Sequence, residues 1–115
     1  MEARAAAIKE QARAAFQECK AKFPEVVAAT TVANAQCLNG VVVIARPLWG
    51  NPDLLDAFMA TRIAVAERVQ KGQVTVAQGN EEVANKWTQV VAENQRRSLA
   101  PQRVSLRDGS NTRST

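Results

Sequence analysis

Cys19 and Cys37, the only two cysteines of this 115-residue chain, stand eighteen positions apart. Sulfur at that spacing admits two states: a disulfide, or two buried thiols acting as small hydrophobes. It is too wide for a Cys-x-x-Cys redox pair. Zinc would need two further ligands, and the chain has no histidine, so no metal is expected. The same absence excludes Ser–His and Cys–His nucleophile pairs. The five glycines are isolated, so no phosphate-cradling loop is present. Carboxylates fall in two pairs, Asp53 with Asp56 and Glu81 with Glu82. The first lies at a helix start, where the dipole favours acid, and the second on the face opposite Trp87. Capping and solvation account for both better than acid–base work. The chain therefore predicts no catalytic residue and no cofactor: a non-enzyme.

Four helices must position these groups. The first is predicted over about Ala3–Lys22, with Ile8, Ala12, Ala15, Phe16, Cys19 and Phe23 at helical spacing and Pro24 as its stop. The second is predicted over Thr31–Ala45, where Cys37, Val41, Ile44 and Leu38, Val42, Ala45 form a wide apolar sector. "NGVVVIA" competes as a hairpin signal, but no second strand-like run exists to pair with it. Pro47 and Gly50 punctuate the chain, with Asn51 as cap and Pro52 at the first position of the third helix. Lys71-Gly72 ends that helix, and Thr75 with Gln78 has the pattern of a capping box for the fourth. Its inward row is Val76, Asn80, Val83, Trp87, Val90 with Val91, then Asn94.

On this frame the cysteines can meet only if the connection over about 24–30 is irregular. A helix starting directly at Pro24 would carry Cys37 roughly 13 Å past the position facing Cys19. Pro24 and the threonine pair at 30–31 permit the irregular form, and both cysteines lie on apolar rows. A bridge would stabilise an alanine-rich core by about 3 kcal/mol. We expect the disulfide, and with it an oxidising compartment, the periplasm; two reduced thiols would place the chain in the cytoplasm.

Arg62 projects into the apolar sector of the third helix, between Leu54, Phe58, Val65 and Leu55, Met59, Ala66. It would either snorkel or pair with a carboxylate from a neighbouring helix, or receive an anionic group in a cleft. Trp49 is either a lid on the helix ends or an exposed contact residue. Trp49 and Arg62 are of the types that dominate binding hot spots.

Charge is divided unevenly. Residues 1–95 carry ten Lys/Arg and ten Asp/Glu, while residues 96–115 carry five arginines, Arg96 and Arg97 among them, against Asp108. The reading is a helical domain over 1–95 and a basic polar tail over 96–115, a helix end and then largely disordered. A basic tail can hold nucleic acid or an anionic surface, but its charges are spaced rather than clustered, so nucleic acid is not the expected partner. No uninterrupted run approaches the ~20 apolar residues of a membrane span. Glu2 and Arg4 interrupt any signal peptide, so an exported chain would be a mature form whose leader has been removed.

Cys19 with "KAKFP", "AQC" at 35–37, "NPDLLDAFMATRIAVAERVQKGQVTVAQGN" and "NQRR" together resemble short, uncharacterised envelope proteins of alphaproteobacteria. That resemblance covers about residues 15–100 and implies export and a helical body. The helix–Gly–x–Val–Thr–helix turn also resembles short helical hairpins thought to promote oligomerisation, with Gly79-Asn80 where that pattern has Glu-Phe. The expected fold is all-α: a small antiparallel bundle of three to four helices with a disulfide between the first two. The expected function is protein–protein contact, including self-association, through Arg62, Trp49, Trp87, Arg96 and Arg97. Nucleic-acid or anionic-surface binding by the tail and carriage of a small apolar ligand are the alternatives.

Overall fold

The computed structural model describes the backbone of residues 2–110 and the side chains of residues 3–99. Among these, four α-helices form: α1 (Glu2–Lys22), α2 (Thr31–Ala45), α3 (Pro52–Gln70) and α4 (Val76–Ser110). Short 3₁₀ turns, Ala28–Thr30 and Arg46–Leu48, precede and follow α2. The fold is the expected all-α antiparallel bundle, with Cys19 bonded to Cys37 across α1 and α2.

The boundaries follow from local chemistry. Pro24 lies just past the end of α1, and the segment to Val27 is irregular, which brings the two cysteine Cα atoms to 5.9 Å. The hydroxyls of Thr30 and Thr31 both donate back to the Val27 carbonyl and do not cap α2. Asn51 occupies the cap position of α3 with Pro52 behind it, but its side chain makes no cap bond. It donates to Asn94 Oδ1 on α4 instead, at 3.0 Å. Gly72 takes φ +80° after α3, in the left-handed region that favours glycine. The capping box forms in full: Gln78 N–H donates to Thr75 Oγ1 at 3.0 Å, and Thr75 N–H donates to Gln78 Oε1 at 2.9 Å.

Each helix packs chiefly on its neighbours in sequence, α1 on α2, α2 on α3 and α3 on α4. The helices consequently form a row. Its extents are 57 × 38 × 15 Å. Four helices abreast at 9–10 Å spacing need a width of about 35 Å, whereas a closed two-by-two bundle needs roughly half that. The radius of gyration is 18.0 Å, against about 13 Å for a compact chain of this length.

Helix α3 sits inside the row and supplies most of the core, with Leu55, Phe58, Val65, Ala66 and Val69 buried. Cys19, Ala35 and Val90 are the buried apolar residues from the other helices. Alanine-rich α1 offers too little apolar area to compete for α3 or α4, so it stays at the edge, held by α2 and the disulfide. The backbone of α4 continues into the basic polar segment through Ser110; residues 111–115, part of the segment expected to be largely disordered after a helix end, lie outside the described residues. Packing also passes residue 95, because Arg97 reaches Asp53 on α3.

Candidate functional site

One face of the row is a groove of about 520 Å³. Its floor is α3, through Phe58, Arg62, Val65, Ala66 and Val69. One wall is α2, with Asn34, Ala35, Leu38 and Val42, and the other is α4, with Val76, Gly79, Val83 and Trp87. On each helix the lining spans about eleven residues, so the groove runs about 16 Å, or three helical turns. It lies where a fourth helix would complete a bundle around α2, α3 and α4.

Glycine sets how closely α4 approaches the floor. A Cβ at Gly79 would stand 2.6 Å from Val69 Cγ2 and 3.2 Å from Val65 Cγ1. The Gly79 that departs from the oligomerisation-hairpin pattern is thus required by the α3–α4 crossing.

Aromatic rings close one end. Trp87 lies 5.0 Å from Phe58 and 5.5 Å from Trp49 between ring centroids, both pairs tilted near 60°. Trp49 packs against Trp87 from the linker, while Trp87 keeps 38% of its surface exposed. Arg62 stacks over the other side of this cluster, its guanidinium carbon 4.6 Å from the Phe58 centroid. Its Nη1 donates to Asn39 Oδ1 at 3.1 Å, and Asn39 Nδ2 donates to the Met59 carbonyl at 3.1 Å. No carboxylate pairs with Arg62 among the described residues. Partial burial lowers its pKa from the usual arginine value.

Three of the expected contact residues, Trp49, Trp87 and Arg62, thus converge on one end and the floor of one groove. Arg96 and Arg97 do not join them. Arg96 pairs with Glu93 one turn back, at 2.6 Å. Arg97 bonds Glu93 at 2.9 Å and Asp53 at 3.0 Å, tying α4 to the start of α3. Hydrogen bonds from Arg96 and then Arg97 hold the Glu93 carboxyl at a pKa of about 2. Of the other carboxylates singled out, Asp56 binds Arg46 at 2.9 Å and Glu82 binds Arg68 at 2.8 Å. Sequence reasoning missed Asn39. The antiparallel α2–α3 register, which sets Arg46 against Asp56 and Val32 against Gln70, would have placed it opposite Arg62.

Apolar surface continues outside the groove. The stretch Ala28–Leu48 is long and apolar enough, by length and composition, to cross a membrane, and little of it is buried. Asn34, Gln36, Asn39 and Arg46 lie within it. Here α2 lies between α1 and α3, bonded to charge-rich α1 through Cys37. No family model, curated protein or solved structure matches the chain.

Proposed function

We propose that this chain is a non-enzymatic extracytoplasmic protein that works by protein–protein contact, receiving one apolar helix of a partner protein in the α2–α3–α4 groove. The observation that carries this reading is the open row: three helices present a three-turn apolar trough that nothing in the chain covers among the described residues. Helix-in-groove docking needs such a trough with anchors one turn apart.

The disulfide and the resemblance to envelope proteins support an oxidising compartment. A groove of this volume also falls within the range of small-molecule sites, which keeps carriage of an apolar ligand as the second reading.

The test is titration with a 14-residue helical peptide bearing a leucine stripe, followed by the fluorescence of Trp87 and Trp49. Saturable 1:1 binding, weakened at least tenfold by Val83→Asp in the α4 wall, is expected. Binding indifferent to that substitution, or none, refutes the reading. A small apolar molecule found by native mass spectrometry in the purified protein, with no peptide binding, selects the carrier instead. A dimer in light scattering that Val83→Asp dissociates would make a second copy the partner.

A further inference from the structure

Arg62 gives the groove a charge at its floor. Arg13, Arg46, Arg68, Arg96 and Arg97 each sit on a carboxylate; Arg62 does not. Contact with the Phe58 ring, 4.6 Å from the guanidinium carbon to the ring centroid, holds the head group over the groove floor. Asn39, itself anchored to the Met59 carbonyl, fixes one edge. An arginine carries five N–H donors, and the bond to Asn39 is the only one Arg62 gives to the protein among the described residues. A half-buried, oriented cation among Leu38, Val65 and Val83 is costly without a counter-charge and matched to a bidentate carboxylate.

We infer that the helix received by this groove carries one glutamate or aspartate within its apolar stripe, and that this carboxylate closes on Arg62. The inference rests on the docking reading above. Phe58 and Trp87 lie about one turn to one side of Arg62, and Val69 and Val76 about two turns to the other. The acid therefore stands off-centre, with one apolar anchor a turn before it and one or two beyond. A second copy seated groove to groove would set two Arg62 cations towards each other, so charge favours a different, acidic partner.

Two 14-residue helical peptides test this, alike in their leucine stripe and differing only by Glu or Gln at that position. They are titrated by tryptophan fluorescence into wild-type protein, Arg62→Met and Arg62→Lys, each checked for folding by circular dichroism. Wild-type protein is expected to prefer the Glu peptide by about tenfold to a hundredfold, the range of a hydrogen bond between charged groups. Arg62→Met removes the preference while binding the Gln peptide at least as well, and Arg62→Lys keeps part of the preference. Equal binding of both peptides to wild-type protein overturns the inference and leaves the docking reading standing. A preference surviving in Arg62→Met overturns the role of Arg62. No saturable binding of either peptide, or binding only of dodecanoate, overturns the docking reading itself.

Discussion

Replacing both Cys19 and Cys37 by alanine will release α1 before it unfolds the rest. The bond closes a loop of eighteen residues. In the chain-entropy account that restricts the unfolded chain by about 11 cal/mol/K, or about 3 kcal/mol at 25 °C. Against a typical stability of 5–15 kcal/mol, such a loss is large. It is not spread evenly, because α1 packs chiefly on α2 and its own contribution to the core is Cys19, 2% exposed. Of the two phenylalanines on the α1 apolar row, Phe16 is 42% exposed and Phe23, just past the helix end, is half-buried. Noncovalent docking of α1 is therefore weaker than the α3–α4 contact, and α1 should open as a unit. Amide hydrogen exchange in the double variant should lose protection over residues 2–22, with residues 52–95 still protected. Dithiothreitol on the wild-type protein should do the same. A thiol titration of the unreduced, denatured protein should find no free thiol; finding two would remove the bond altogether. Loss of α1 and α3–α4 protection together at one denaturant concentration would refute the row as an energetic description.

Three further outcomes follow from local geometry. Gly79→Ala should destabilise by about 1–2 kcal/mol in chemical denaturation, because overpacking costs ~1–3 kcal/mol and the helix propensity gained returns up to ~1; unchanged or raised stability would show that α4 can move off Val69. Thr75→Ala should cost about 1 kcal/mol through loss of the α4 capping box, read by the same assay. The Glu93 carboxyl is depressed from 4.5 to about 2. Its contribution to folding is therefore present above the unfolded value and lost as pH falls through about 2. Carbon-detected NMR should show Glu93 ionised at pH 3, and Arg96→Gln with Arg97→Gln should return it towards 4.5.

Much of the frame was legible because its signals are local. Pro24, the Lys71-Gly72 end and the Thr75–Gln78 box mark helix limits through bonds between near neighbours, and each stands where it was read. The disulfide was legible because the rise per residue along a helix restricts which α1–α2 connection lets Cys37 face Cys19. The open row was not, since periodicity reports the width of an apolar face and not which helix covers it. The α2 sector is wide, yet only Ala35 within that helix is buried. Asn51 shows the same gap at one residue: its type predicts a cap, but Asn94 on α4 offers a tertiary bond that its local sequence cannot reveal. Convergence of Trp49, Trp87 and Arg62 likewise depends on the α3–α4 register, through Phe58, a residue read only as core.

The disulfide and the groove are two consequences of one architectural choice. A closed bundle would bury the α2 and α4 apolar faces in a shared core and would give α1 a second neighbour. In a row, the edge helix contacts a single neighbour, and the interior helix must serve both sides. Conformational entropy weighs most heavily on the edge, where few contacts oppose it. The covalent tie lies at that edge, and so does the alanine-rich helix that contributes least burial. At the opposite edge no such bond is present among the described residues; α4 is held instead by the Gly79 crossing, the tryptophan cluster and the Arg97–Asp53 tie at its far end. With both edges secured, α2 and α4 stand apart over α3, and Phe58 and Arg62 stay open to an incoming side chain. Reduction should therefore loosen the α2 wall and weaken peptide binding indirectly, leaving the Arg62–Asn39 bond within the α2–α3 contact intact.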